Sequence, residues 1–196
     1  MINEIIILLL AYLIGSIPFG LVISFCAGHG DIRKIGSGNI GTTNVLRTGS
    51  KLLALLTLVA DSGKIIIAIL LAHQLGFYQD YYIATAGFIG HLFPIWLKFK
   101  GGKGVASFLG LSLYLFPKIA LILMATWLVT FVITRYSSLA AIFAAIAGII
   151  ALLIDKDWDG NLFLVLALII LILLKHKDNI IRLINGQESK FKGSKT

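Results

Sequence analysis

The chain is short of almost everything that would let it stand in water. Only 13% of its 196 residues are charged while 58% are hydrophobic, and a mean hydropathy of +0.96 is too apolar for a soluble domain of this size. A single cysteine, Cys26, excludes an internal disulfide and leaves no metal cluster to assemble. At the end of an apolar run it reads as packing, not as a nucleophile. No internal repeat, low-complexity segment or second domain is visible, so residues 1–196 are expected to form one membrane-embedded domain. The first apolar run resembles a signal peptide in length, but Glu4 stands where a basic region would be, and no A-x-A-like site precedes the first polar loop. The first apolar run is therefore expected to stay as a span.

What is present is a series of apolar intervals between charged residues, at 5–30, 65–79, 81–97, 104–117, 119–134, 136–154 and 160–174. They predict an all-α integral membrane protein with about seven transmembrane helices, some short or broken. The second begins near Leu52 or near Asp61. The fourth, from Gly104 to Phe116, is only about 20 Å long at 1.5 Å per residue, against about 30 Å of hydrocarbon. It suits a half-helix or tilted hairpin arm whose ends are shielded by protein.

A net charge of +8 would suggest nucleic acid for a soluble protein, so the placement of the basic residues decides. On alternate loops, Lys118 and Lys156 fall on one face, Lys64 lies within or at the edge of a span, and the other fourteen Lys and Arg residues fall on the opposite face. Glu4, Asp80, Asp155, Asp157 and Asp159 join Lys118 and Lys156. This positive-inside asymmetry puts the N-terminus outside and the C-terminus in the cytoplasm. Nucleic acid is not an expected partner; membrane lipid is.

The longest loop before the C-terminal tail, residues 27–50, contains SGNIGTTNVLR on the basic face. Gly36, Gly38 and Gly41 let successive N–H groups converge, and Ser37, Asn39, Thr42, Thr43 and Asn44 add neutral donors. Arg47 brings a forked charge suited to phosphate oxygens. Taken alone, such a loop also reads as a polar cap on its own helix ends. A second loop on the same face, GHLFPIWLKFKGGKGVA at 90–106, surrounds Gly101 and Gly102 with Lys98, Lys100 and Lys103 and opens a helix at Gly104. A glycine turn at a helix N-terminus combines N–H groups with the positive end of the dipole, an anion site. The P-loop spacing is absent. Lys98 and Lys100 read as interfacial snorkelling residues, and Lys103 as the better phosphate ligand.

Polar residues within the spans need partners. His91 reads as a packed, hydrogen-bonded histidine. Asp61 and Lys64, three apart, share a helix face and can pair; an isolated charge there would cost about 2.5–3.5 kcal/mol on insertion scales. Structural and functional roles are both open for this pair. Two more pieces join the basic face, TRYSSLA at 134–140, with Arg135 and Ser138, and HKDNIIRLINGQE at 176–188. His176, Asn179 and Arg182 recur at every third position, one ridge of a helix leading to Gly186 and Glu188. By itself the basic tail could bind anionic lipid; with the other loops it makes four polar segments on one membrane face.

S-G-N-x-G-x-x-N-x-x-R, G-H-x-F-P-x-x-x-x-x-x-G-G-K-G-V-A and H-x-x-N-x-x-R-x-x-x-G-x-E, in order and across nearly the whole chain, resemble the three signature blocks of the bacterial acyl-phosphate-dependent glycerol-3-phosphate acyltransferases. No departure is visible at the motif positions. The resemblance implies a multi-span enzyme of the bacterial inner membrane with its site facing the cytoplasm. It would move a fatty acyl group from long-chain acyl phosphate to the 1-hydroxyl of glycerol 3-phosphate, giving 1-acyl-glycerol 3-phosphate (lysophosphatidic acid) and phosphate. No cofactor or metal is implied. Ser37, Gly38, Asn39, Asn44, Arg47, Gly101, Gly102, Lys103, Gly104, Arg135, Ser138 and Arg182 would bind substrate or phosphate, and His176, Asn179 and Glu188 would be catalytic. His176 is the first choice for the general base, Glu188 the second.

The residues agree, since an amphiphilic donor needs an apolar slot and two phosphorylated substrates need basic, N–H-rich loops. The histidine–aspartate dyad of another acyltransferase class, with four residues between, is missing: Lys34, Tyr78, Trp96 and Ile181 stand five after the four histidines. An acyl phosphate is a mixed anhydride with a good leaving group, for which positioning and charge stabilisation can suffice. The alternative is a transporter of a phosphorylated metabolite, which would show paired repeats and a midplane site. A lipid-binding scaffold would leave the glycine loops unexplained.

Overall fold

A computed structural model describes residues 2–155 and 161–191. The charges at Lys156, Asp157, Asp159, Lys192 and Lys195 lie outside the described residues. Among the described residues there is no strand. The α-helices are α1 (Ile2–Gly15), α2 (Phe19–Cys26), α3 (Thr42–Leu46), α4 (Lys51–Gln74), α5 (Asp80–Leu92), α6 (Val105–Leu115), α7 (Pro117–Thr134), α8 (Ser137–Ile154), α9 (Leu162–Lys175) and α10 (Lys177–Ile184), with 3-10 turns at Ile32–Lys34 and Ile95–Leu97.

Every apolar interval became helix, but not every helix is long enough to cross a bilayer alone. Among the described residues three are, α4, α7 and α8, and a fourth span results if α1 and α2 count as one element bent by 43°. The first interval is thus broken where a continuous span was expected. Pro18 sits in the break, where its ring and missing N–H prevent an unbroken ladder. Ser50 sets the start of α4 by accepting from the Leu53 N–H at 3.2 Å, so the second interval begins at Lys51. Its 24 residues span about 36 Å, with Asp61 and Lys64 deep inside. Helix α6 has only 11 residues.

The chain divides into two compact units, Met1–Leu115 and Phe116–Thr196. In the first, α1 packs on α5 and α4 packs on α1, α2, α3, α5 and α6. Lipid tails are as apolar as the helices, so association rests on close packing and interhelical hydrogen bonds. A Cβ on Gly15 would strike the Gly87 carbonyl, and one on Gly90 the Tyr12 carbonyl. The Tyr12 hydroxyl donates to the Phe93 carbonyl at 2.7 Å. Short α6 is held against α4 by Ser62 donating to the Ala106 carbonyl at 2.8 Å and Ser107 to the Asp61 carbonyl at 3.3 Å. Here protein shields a helix too short to span.

In the second unit α7 packs on α8, and α9 and α10 also contact α8. The buried face of α8 is a row of small residues, Ala140, Ala141, Ala144, Ala145, Gly148 and Ala151. Leu121, Leu128, Val129, Val132 and Ile133 of α7 are exposed, the outward surface expected of a helix that faces lipid.

Candidate active site

The first polar loop is built around one buried side chain. Asn44 donates through Nδ2 to the carbonyls of Ile32 at 2.7 Å, Asn39 at 2.8 Å and Ile35 at 3.2 Å, while its Oδ1 accepts from the Ser37 N–H at 3.0 Å. Its amide is thereby used to shape the loop that presents Ser37, which is exposed. Asn39 turns its Oδ1 onto the Ile40 N–H at 2.8 Å. Gly38, at φ +69°, occupies the left-handed region that a residue with a Cβ enters at a cost. Arg33 is engaged by Asp31, Nη2 to Oδ2 at 2.7 Å, and its guanidinium holds the Asp31 carboxyl down at about 2. Arg47 lies elsewhere: half-buried at the end of α3, it runs so close over Gly36 that a Cβ there would come within 2.7 Å of its Nη1. The loop rests on Ile32, Val45 and Ala54.

The second loop folds back onto the helix before it. The Gly101 N–H donates to the Leu92 carbonyl at 3.2 Å and the Gly102 N–H to the His91 carbonyl at 3.1 Å, satisfying carbonyls at the C-terminal end of α5. These two N–H groups therefore serve the protein, contrary to the anion-facing role expected of the whole glycine turn. The groups left to face an anion are those of the first turn of α6, which begins with Phe108 donating to the Gly104 carbonyl at 2.7 Å. Gly104, at φ +89°, lies where a Cβ would meet Phe88 and Leu92. Lys103 stands beside this turn, partly exposed, whereas Lys98 and Lys100 are exposed, as snorkelling residues would be.

Beneath that loop lies a charged cluster that the sequence indicated only in pieces. Lys64 Nζ donates to Asp61 Oδ1 at 2.7 Å and to the Ile17 carbonyl in the α1–α2 break at 2.8 Å, and lies 3.0 Å from His91 Nδ1. Asp61, Lys64 and His91 are 1%, 2% and 4% exposed. An ammonium has three donors and no acceptor, so these contacts saturate it and leave His91 Nδ1 as an acceptor. The expected pairing of Asp61 with Lys64 and hydrogen bonding of His91 are thus one network. The link from Lys64 to His91, 27 residues apart, has no local signal.

The C-terminal block forms a cluster of its own in the second unit. Asn179 and Arg182 lie on one face of α10, and Gly186, at φ +67°, turns the chain so that Gln187 and Glu188 donate their N–H groups to the Arg182 carbonyl at 2.7 and 3.1 Å. Glu188 then accepts from Asn179 Nδ2 and Ser138 Oγ through Oε1, each at 2.7 Å, and from Arg182 Nε through Oε2 at 2.7 Å. Burial pushes its carboxyl up, but the bonds from Ser138, Asn179 and Arg182 outweigh this and hold it below the usual value. His176 is the residue at which α10 begins; it is buried between α9 and α10, with Nδ1 2.8 Å from the Ile172 carbonyl. That bond needs a proton on Nδ1, which makes Nε2 the basic nitrogen of the neutral ring. Arg135 is exposed at φ +62°, and its carbonyl accepts from the Phe191 N–H at 2.8 Å. Among the described residues no group of three or more His, Cys, Asp or Glu is placed to hold a metal ion.

Helical segments that span or half-span a membrane, joined by loops that concentrate arginine, lysine and oriented backbone donors, define an integral membrane protein suited to a phosphorylated substrate. Comparison narrows this. Residues 5–186 match the model of the glycerol-3-phosphate acyltransferase family. The glycerol-3-phosphate acyltransferase of Brucella anthropi is 49% identical over 183 residues, 93% of this chain and 90% of that protein. That of Ehrlichia canis is 48% identical over 189 residues, 94% of this chain and 96% of that protein. The solved structure of PlsY, an integral membrane glycerol 3-phosphate acyltransferase, in its glycerol 3-phosphate form superposes with a TM-score of 0.86 at 36% identity, covering 97% of this chain and 96% of that one. Its lysophosphatidic acid form gives 0.84 at 35% identity. The chain belongs to the PlsY-type glycerol-3-phosphate acyltransferase family.

Proposed function

We propose that residues 1–196 form a single acyltransferase domain that transfers a fatty acyl group from long-chain acyl phosphate to the 1-hydroxyl of glycerol 3-phosphate, releasing lysophosphatidic acid and phosphate. The observation that carries the reading is that the three polar blocks stand in order along one family match over residues 5–186, which takes in all of them except the closing Gln187 and Glu188. In the reaction the acceptor oxygen bonds to the acyl carbon, the bond from that carbon to the phosphate oxygen breaks, and the hydroxyl proton ends on the released phosphate. No group need be oxidised or reduced.

In the first unit, Lys103, Gly104 and the opening turn of α6 receive a substrate phosphate, with Gly101 and Gly102 anchoring the turn. Arg47, Ser37 and Asn39 supply further donors, Gly38, whose N–H donates to the Ile35 carbonyl at 3.0 Å, shapes the loop, and Asn44 acts by holding Ser37. In the second unit, His176 is the general-base candidate, through Nε2. Glu188 ranks behind it, because hydrogen bonds to Ser138, Asn179 and Arg182 favour its ionised form and occupy both oxygens. Arg135 and Arg182 add positive charge. The positive-inside asymmetry supports a bacterial inner-membrane location with these loops toward the cytoplasm and the N-terminus outside. Membrane lipid contacts the exposed apolar faces and delivers the acyl donor laterally.

The test is purified protein in detergent given glycerol 3-phosphate with acyl phosphate, acyl-CoA or neither. Phosphate release and lysophosphatidic acid formation that need both glycerol 3-phosphate and acyl phosphate are expected. Turnover with acyl-CoA alone would overturn the donor, and binding without turnover would restore the transporter reading.

A further inference from the structure

The Asp61–Lys64–His91 cluster stands outside the three motif roles except through His91, and its placement is costly. Charges in the interior of a transmembrane helix are expensive, and an apolar trio of similar volume would pack without that penalty. What the cluster does have is a physical connection to the second loop. The His91 ring lies so close over the loop that a Cβ at Gly102 would strike Nε2, while the His91 carbonyl accepts the Gly102 N–H at 3.1 Å. Gly102 is thus held by both the backbone and the ring of one residue. On its other side the ring is fixed by Lys64 at Nδ1, and Lys64 is fixed in turn by Asp61 and by the Ile17 carbonyl. All three Lys64 donors are spent, so the ammonium has one place to sit. The next residue after Gly102 is Lys103.

We propose that Asp61, Lys64 and His91 are positioning residues that lock the Gly101–Gly104 turn, and with it Lys103, in the geometry that receives a substrate phosphate. The lock starts in the middle of α4, the helix that contacts most of the first unit, so the turn inherits the rigidity of that helix instead of the freedom of a glycine loop. The cluster touches no reacting atom in this scheme. It acts through the place of the His91 ring.

The proposal rests on the reading of this turn as a phosphate site, and the experiment separates the two. Steady-state kinetics with both substrates are measured for Lys103→Ala, for the double variant Asp61→Asn/Lys64→Met, which removes both charges at nearly constant volume, and for His91→Asn and His91→Gln. Lys103→Ala shows which substrate's KM the turn governs; if it moves neither, the phosphate reading of the turn fails. With that control positive, the double variant and His91→Asn, whose shorter amide keeps an acceptor for Lys64 but withdraws from Gly102, are expected to raise the same KM. The rise should be about two- to thirty-fold, the range of coupling through such networks. The other substrate's KM and kcat should change far less. His91→Gln, whose amide reaches the place of Nε2, should recover most of the loss. A purely structural cluster would lower thermal stability and active fraction while leaving both KM values unchanged, and that result would overturn the proposal. Should the double variant fail to fold, His91→Asn, which leaves the Asp61–Lys64 pair intact, decides alone.

Discussion

Replacing Glu188 by glutamine tests whether the C-terminal block is a clasp held by one carboxylate. The substitution keeps the volume and leaves one oxygen, but puts an NH₂ group where the second oxygen accepted. Ser138 and Asn179 share Oε1 while Arg182 uses Oε2, so either amide orientation sets a donor against a donor. A hydrogen bond to a charged group contributes about 1.5–3 kcal/mol. The Glu188 side chain is 7% exposed but that of Arg182 is 40%, and solvent screening reduces the Arg182 share. The expected loss is about 1–2 kcal/mol, or about five- to thirty-fold in the population of the closed clasp. It is read as kcat/KM with acyl phosphate and glycerol 3-phosphate, beside the melting temperature in detergent. The pH dependence gives an independent check. The Glu188 carboxyl lies below its usual value of 4.5, so its stabilisation is full above that value and disappears as pH falls through the depressed one. The difference in stability between wild type and Glu188→Gln should be constant near neutrality and shrink in acid. Wild-type activity and melting in the variant at pH 7, or a difference that grows in acid, would refute the clasp.

Arg47→Ala and Lys103→Ala should each lower kcat/KM about ten- to 150-fold, the equivalent of one charge-assisted hydrogen bond; unchanged kinetics in both would remove them from the site. Truncation after Lys175 should abolish activity while membrane insertion persists, and an active truncated protein would reduce the tail to a lipid-facing basic segment. Acyl transfer should be direct, because the donor arrives activated and Cys26, exposed at the end of α2, closes an apolar run with no charge predicted to activate it. Acyl-labelled donor without glycerol 3-phosphate should leave no label on denatured protein, and Cys26→Ser should remain active. Stoichiometric, chemically competent labelling would redirect attention to Ser37 or Ser138.

The membrane class, the helical intervals and the three polar blocks were legible because each depends on local chemistry. A run of apolar residues excludes water wherever it lies, glycine permits left-handed backbone in any context, and Asp61 and Lys64 meet because three residues bring side chains onto one helix face. The spacing from His176 to Glu188 likewise contained the turn at Gly186. Other features depend on which elements are brought together. The α1–α5 contact needs Gly15 against Gly87 and Gly90 against Tyr12, a match between helices 72 and 78 residues apart. Asn44 looked like a substrate donor, yet the loop consumes its amide, since only the fold reveals that three carbonyls surround it. The N–H groups of Gly101 and Gly102 looked free for an anion until the end of α5 claimed them. Lys64 reaches His91 across 27 residues and Ser138 reaches Glu188 across 50. Sequence spacing lists the donors and acceptors of a chain, but which donor meets which acceptor is decided where helices cross, because a buried polar group takes the partner that packing places within about 3 Å.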